Sequence, residues 1–166
     1  MKKPILVAAL AAMVVLGTGQ AFGTVRLFTA SLDGLQEVPP VATPGTGSAT
    51  ATLDDVTGDV VLTSGSYTSL VAGTTAAHIH GPAPVGVNAG VLIPLSTTGG
   101  TSGTLSGSGT LSAANTANMI AGLMYVNVHT SFKPGGEIRG QLIEVPEPAT
   151  LGLMGLCGLL VLRRRR

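Results

Sequence analysis

The amino-acid sequence predicts an all-β protein, an antiparallel β-sandwich or barrel of at least seven short strands with one short helix. Apolar and polar side chains alternate with a period of two between the two chain ends. Glycine, proline and serine interrupt this pattern at short intervals, and 24 of the 166 residues are glycine. Helix signals are scarce. Half-buried strands must cover their apolar faces, so this pattern favours two packed sheets or one closed sheet.

The alternating pattern assigns each strand in turn. Ser48 to Leu53 places small apolar side chains on one face and hydroxyls on the other, and the turn at 54–59 predicts a hairpin with the next strand. A helix is predicted over 113–121, with Ser112 as its N-cap and Gly122 at its end. The predicted strands are 25–32, 48–53, 60–67, 75–80, 91–95, 103–111, 123–130 and 137–143.

The last two strands form a hairpin whose register is predicted by side-chain parity. One face carries only apolar residues, and the other carries polar, charged and aromatic residues. Cross-strand partners share a face, so the pairing must keep this division and leave the charged face outermost. The predicted polar pairs are His129 with Glu137, Asn127 with Arg139, and Tyr125 with Gln141.

The two chain ends have the composition of targeting segments. Residues 1–23 contain two lysines, an apolar run and then small residues, which is the layout of a secretory signal peptide. Residues 146–166 contain Pro146-Glu147-Pro148, an apolar stretch over 149–162, and four terminal arginines, Arg163, Arg164, Arg165 and Arg166. As a helix the apolar stretch would rise about 21 Å, against roughly 30 Å of hydrocarbon, so it would be a short transmembrane helix. A plain membrane anchor and a sorting tail both fit this composition.

Composition between these ends excludes nucleic acid as a partner. Residues 24–145 contain three basic residues and seven acidic ones, for a net charge of −4. A basic surface for nucleic acid is therefore missing from the core sequence. The one cysteine, Cys157, lies in the tail, so the core relies on no disulfide.

The three histidines of the chain lie in two predicted strands. His78 and His80 are two residues apart and share one strand face, with side-chain roots about 7 Å apart. If the strand that carries His129 is a neighbour, all three imidazoles would converge, with Glu137 as fourth ligand or as the carboxylate that orients a ring. Three imidazoles suit zinc or copper. The alternative is a polar outer sheet face on which the histidines contact carbonyls and carboxylates.

Sequence patterns for a catalytic site are weaker than the histidine pattern for a metal site. Three histidines are too few for a dinuclear copper–zinc site, and no Gly-x-Ser-x-Gly sequence occurs. Glu37 and Glu137 are candidates for a carboxylate pair, but an exposed Glu37 or an ion pair with Arg139 is favoured. The sequence therefore predicts no catalytic residues.

Several blocks resemble known sequence signatures. Residues 32–40 (LDGLQEVPP), 77–83 (AHIHGPA), 123–130 (LMYVNVHT) and 136–141 (GEIRGQ) resemble the CHRD domain, and 146–166 resembles the PEP-CTERM sorting signal of Gram-negative bacteria. The first resemblance implies a β-rich domain over 24–145 that binds rather than catalyses. The second implies transient anchoring in the inner membrane, processing by an exosortase, and delivery to the cell surface or extracellular matrix.

These resemblances predict a non-enzymatic binding or structural module. An envelope or matrix protein or a polysaccharide is the expected lasting partner, and no cofactor is required. The alternative is a mononuclear zinc or copper protein with hydrolytic or redox activity at His78, His80 and His129.

Overall fold

A computed structural model describes residues 24–146 of the chain, which contain nine strands, one 3-10 helix and one α-helix. The predicted signal peptide and all of the predicted tail except Pro146 lie outside the described residues. The strands are β1 Val25–Asp33, β2 Thr46–Asp54, β3 Asp59–Thr68, β4 Thr74–His80, β5 Val91–Thr97, β6 Gly103–Thr110, β7 Tyr125–Thr130, β8 Ile138–Gln141 and β9 Ile143–Glu144. The 3-10 helix is Gly34–Gln36, and the α-helix, α1, is Ala113–Ile120.

Eight of these strands close into an antiparallel barrel. Their order is β2-β3-β6-β5-β4-β7-β8-β1, and β1 pairs with β2 to complete the circle. β9 is a ninth strand that pairs with β1. The prediction of an antiparallel all-β fold with one short helix is confirmed, and of its two architectures the barrel is the one adopted. Closure leaves the eight barrel strands without the unpaired edges of an open sheet.

The barrel core follows from the period-two alternation of the strands. On β1, Phe28, Ala30 and Leu32 point inward between exposed neighbours. The register places Phe28 opposite the small Ala51 of β2. The small Ala51 leaves room for the Phe28 ring in the narrow interior, as small barrels require. Full burial of one such large side chain stabilises the fold by about 1.5–3 kcal/mol.

The helix α1 begins and ends where its capping residues predict. The Ser112 hydroxyl accepts a hydrogen bond from the Asn115 amide at 3.3 Å, which satisfies one free N–H of the first turn. Gly122 follows the helix with φ of 72°, a left-handed conformation that favours glycine. Met119 is fully buried in the core cluster, so its side chain attaches the helix to the barrel.

The final hairpin has the predicted register, because Tyr125 lies opposite Gln141 and Asn127 lies opposite Arg139. The expectation that its polar face is outermost is wrong. Tyr125 and Arg139 are each 1% exposed, and Asn127, Glu137 and Gln141 are also buried. The β4–β5 connection, residues 81–90, folds over Tyr125, Arg139 and Gln141. Glu137 is covered by the loops that contain Thr43 and Val71. We call residues 81–90 the covering loop.

Candidate metal centre

Strand pairing brings the three histidines onto one face of the barrel wall. β4 and β7 are antiparallel neighbours, with His78 opposite Asn127 and His80 opposite Tyr125. His129 lies two residues beyond Asn127 and therefore shares its face. The three imidazoles consequently form a triangle across two adjacent strands.

The triangle has the dimensions of a mononuclear metal site. Ring centroids are 5.4 Å apart for His78 and His80, 5.0 Å for His78 and His129, and 5.7 Å for His80 and His129. One ring nitrogen from each histidine lies within 4.8 Å of the others. Nitrogens bound tetrahedrally to one zinc ion at about 2.0–2.1 Å would be about 3.4 Å apart. Small side-chain rotations would thus suffice to bring the three nitrogens onto one ion.

Hydrogen bonds to backbone carbonyls orient two of the three rings. The Nδ1 of His80 lies 3.0 Å from the Ala89 carbonyl oxygen, and the Nδ1 of His129 lies 2.9 Å from that of Pro134. A carbonyl only accepts, so this network assigns the proton to Nδ1 in both rings and leaves each Nε2 with a free lone pair. This is the arrangement that outer partners impose on metal-binding histidines.

The ring nitrogens that do not contact a carbonyl differ in their hydrogen bonding. The Nε2 of His129 lies 3.1 Å from the Nδ1 of His78, so His78 donates to it. The Nε2 of His80 is buried and has no hydrogen-bond partner among the described residues. An unpaired buried lone pair is costly, and a metal ion would compensate it.

The surroundings of His78 and His80 favour the neutral form of these two imidazoles. Burial, and then the nearby His129, lower the pKa of His78 below its ordinary value. Burial also lowers the pKa of His80, and His129, His78 and Arg139 add to the effect against a raising contribution from the Ala89 carbonyl. Neutral imidazole is the form that binds a metal, so the lowered pKa values of His78 and His80 favour metal binding.

A stack of planar groups supports the His80 side of the site. The guanidinium carbon of Arg139 lies 3.4 Å from the Tyr125 ring centroid, and the Tyr125 ring stacks on His80 at 5.1 Å and 8°. Arg139 also donates to the Val87 carbonyl at 2.9 Å and to the Asn88 side chain at 3.3 Å. The covering loop is therefore bonded to the same residue that supports the stack.

The sequence pattern did not predict that four further residues belong to this region: Tyr125, Asn127, Arg139 and Gln141. Tyr125 accepts from the Ala89 amide at 3.0 Å through its hydroxyl, and Gln141 donates to the Ala83 carbonyl at 3.0 Å. A signal was present, since a connection of about ten residues rich in glycine and proline follows the histidine strand directly. Such a connection has enough length to fold back over a neighbouring strand.

Glu137 does not join the histidines, contrary to the expectation of a fourth ligand or an orienting carboxylate. It is fully buried, and one oxygen accepts from the Thr43 hydroxyl at 2.6 Å and the Val71 amide at 2.7 Å. The other oxygen accepts from the Thr130 hydroxyl at 2.7 Å. Both oxygens are therefore occupied by hydrogen bonds that tie two loops to the end of β7.

Glu37 is buried as well, so the expectation of an exposed side chain is wrong. The 3-10 helix, capped by the Asp33 carboxylate, turns the chain so that Glu37 is only 4% exposed. Burial raises the pKa of Glu37 to about 7, against a lowering effect of Arg139. Within the described region, one Glu37 oxygen and the Asn127 side-chain oxygen have no hydrogen-bond partner. Both lie against the α-carbon of Gly136, where a side chain would collide with them.

The predicted sorting residues Glu147, Pro148 and Arg163–Arg166 lie outside the described residues, and Pro146 is the last one described. Over residues 24–146, no helix combines the length and apolar character needed to cross a membrane.

Comparison with known proteins identifies two segments. The family model of the CHRD domain matches residues 28–142, and that of the PEP-CTERM protein-sorting motif matches residues 144–166. The sorting motif supports export and recognition by an exosortase. No curated protein and no solved structure matches the chain. Since the first match covers most of the sequence, the chain belongs to the CHRD domain family.

Proposed function

We propose that this exported CHRD domain is a non-enzymatic binding module that holds one zinc or copper ion through His78, His80 and His129. The observation that carries the proposal is the convergence of three ring nitrogens within 4.8 Å of one another. Imidazole nitrogens in this number suit zinc and copper among the common metals.

The orientation of the rings supports the same ligand set. Carbonyl partners assign the proton to Nδ1 in His80 and His129. The Nε2 of His129 accepts from His78, and the Nε2 of His80 is buried without a partner among the described residues. A bound ion would therefore replace an uncompensated lone pair by a coordinate bond. Three protein ligands leave a fourth position for water or a group from a partner molecule.

A binding role is favoured over catalysis by the position of the carboxylates. A metal hydrolase of this kind needs a general base close to metal-bound water. Glu137 has both oxygens occupied by hydrogen bonds from Thr43, Val71 and Thr130. Glu37 lies against Asn127 and Gly136 rather than among the histidines.

The proposed destination is the cell envelope or extracellular matrix of a Gram-negative bacterium. In this scheme the signal peptide directs export, the tail anchors the precursor in the inner membrane, and an exosortase processes it near Pro146-Glu147-Pro148. Mass spectrometry of the mature protein should show loss of the segment after this motif. An intact Arg166 on the released product would defeat the processing step.

Metal analysis of the purified exported protein tests the binding function. We expect one equivalent of zinc or copper in the wild type, and its loss in His80→Ala and His129→Ala. Asp59→Asn is the matched control, because Asp59 is an exposed acid on β3 whose removal tests unspecific binding to the acidic surface. Stoichiometric metal retained by His80→Ala, or no stoichiometric metal in the wild type, would refute the site.

The metal-loaded protein should also be assayed for ester hydrolysis and for superoxide dismutation. The proposal expects rates no higher than those of the free ion at the same concentration. Turnover above that level, lost in His129→Ala, would assign the site to a metalloenzyme instead.

A further inference from the structure

An outward-facing apolar surface lies where β9 pairs with β1. Val25 and Leu27 point away from the core, because successive side chains of β1 alternate between its two faces and Phe28 points inward. Ile143 lies opposite Thr29, and the Val145 amide donates to the Leu27 carbonyl at 2.8 Å. We call Val25, Leu27, Ile143 and Val145 the apolar edge face; their exposed fractions are 61%, 41%, 55% and 36%.

The apolar edge face is bounded and firmly attached. On the β2 side, the residues paired with Val25, Leu27 and Thr29 are polar: Asp54, Thr52 and Thr50. Arg26 bridges Asp55 at 3.0 Å and Glu144 at 2.9 Å, which ties β9 to β1. The apolar edge face therefore ends at polar residues on its β2 side.

Both ends of the described chain meet at this face. Thr24 and Pro146 line one cavity of about 410 Å3 together with Val25, Leu27, Val145 and the ion pair of Arg26 and Glu144. The sorting motif begins at residue 144, so its first residue lies in β9 itself. The tail therefore leaves the barrel directly from the apolar edge face.

Chain length limits how far the barrel can lie from the apolar tail. Three Cα steps separate Pro146 from Ala149, where the apolar stretch begins, and they span at most about 11 Å. The headgroup region on each side of a bilayer is roughly 5–8 Å thick. If residues 149–162 insert, β9 must lie in or beside that region.

Hydrophobic mismatch affects the bilayer beside the barrel. Fourteen apolar residues span about 21 Å as a helix, about 9 Å less than the hydrocarbon thickness. Such a short span is accommodated by local thinning of the bilayer or by snorkelling of flanking residues. The residues that precede the tail in the chain include Ile143 and Val145.

We propose that the apolar edge face rests in the interfacial region of the lipid bilayer while the precursor is anchored. The surface thereby orients the barrel before processing, with β9 towards the lipid. This inference depends on the proposed anchoring of the tail and is independent of the metal site.

Single tryptophan reporters test this surface, because the chain has no tryptophan of its own. Leu27→Trp and Ile143→Trp place the reporter on the apolar edge face. Val91→Trp is the matched control, since Val91 is also about half exposed and lies on β5, four strands away from β1 around the barrel. A fluorescent probe on Cys157, the only cysteine, reports insertion of the tail separately.

The metal-free chain without its predicted signal peptide, residues 24–166, is reconstituted in phosphatidylcholine–phosphatidylglycerol vesicles with lipids spin-labelled near the headgroup. With the Cys157 probe inserted, we expect blue-shifted emission and several-fold stronger quenching for Leu27→Trp and Ile143→Trp than for Val91→Trp. Equal, water-like emission from all three reporters would overturn the inference while leaving the anchoring intact. A Cys157 probe that stays in water would overturn both.

Discussion

The Nδ1 of His78 lies 3.1 Å from the Nε2 of His129, which makes a direct hydrogen bond between two side chains that also belong to the candidate metal centre. The bond links β4 to β7 outside the backbone ladder. A metal ion would replace it by two coordinate bonds if the His78 proton moves from Nδ1 to Nε2, and it would also engage the unpaired His80 nitrogen. Metal binding should therefore stabilise the barrel wall.

Zinc should raise the stability of the folded protein by an amount set by its affinity. A ligand that binds only the folded state at 100 times its dissociation constant adds about 2.7 kcal/mol to the free energy of unfolding. Urea unfolding of the wild type with and without zinc measures this effect. His78→Ala should abolish the zinc-dependent shift, whereas an equal shift in this variant would argue against coordination by His78.

Glu137→Ala should destabilise the fold severely. The buried carboxylate accepts from Thr43, Val71 and Thr130, and its removal leaves one buried donor and two part-buried donors unsatisfied, at a cost of about 3 kcal/mol. Glu144→Ala is the matched control, because Glu144 forms a partly exposed ion pair with Arg26 worth about 0–1 kcal/mol. The urea midpoint of Glu137→Ala should therefore lie well below that of Glu144→Ala, and equal midpoints would contradict the prediction.

Metal binding by Glu137→Gln shows whether Glu137 only stabilises the fold or also belongs to the metal centre. Glu137→Gln keeps one acceptor oxygen and similar volume, so part of the protein should stay folded. We expect that folded protein to bind zinc with wild-type stoichiometry. Loss of zinc from a folded Glu137→Gln protein would make Glu137 part of the metal centre after all.

The barrel was largely predictable because its strands obey a local rule. Period-two alternation is visible residue by residue, and parity alone gave the pairing of Tyr125 with Gln141 and Asn127 with Arg139. Local sequence does not decide whether a sheet closes, since closure depends on the contact between β1 and β8, where only Asp33 and Arg139 are paired. The sequence therefore left sandwich and barrel as alternatives.

The polar face was misjudged because burial there comes from distant chain segments. Alternation indicates which side chains lie opposite the core, but it says nothing about what covers them. Arg139 is buried because its guanidinium satisfies carbonyl and amide oxygens of the covering loop, at Val87 and Asn88. Glu37 is buried because the 3-10 helix turns it inward. The period-two pattern of the strands predicts neither the hydrogen bonds of Arg139 nor the inward turn at Glu37.

Replacing Glu37 should stabilise the protein at high pH. The folded-state pKa of Glu37 is raised to about 7 from an ordinary value of 4.5. The folded state therefore binds more protons than the unfolded state between these values, and the contribution of Glu37 to stability falls as pH rises from about 4.5 to 7. At most, the loss is about 3 kcal/mol.

Glu37→Gln removes this titration while keeping the shape of the side chain. Compared with the wild type, the variant should gain stability as pH rises through this window and then keep a constant advantage above pH of about 7. Urea unfolding of both proteins across this range gives the difference directly, and the histidine contributions cancel in it. A pH-independent difference would mean that Glu37 is ionised throughout.

Gly136→Ala and Gly135→Ala should differ although the two glycines are adjacent. Gly136 has φ of 133°, and a β-carbon there would run into the Asn127 amide and the Glu37 carboxylate. Backbone strain and overpacking together should cost about 3 kcal/mol. A β-carbon at Gly135 meets nothing within 4 Å, so that variant should lie within about 0.5–1 kcal/mol of the wild type. Thermal unfolding of the pair checks the prediction, and equal losses would mean that the loop, rather than the packing around Gly136, is sensitive to substitution.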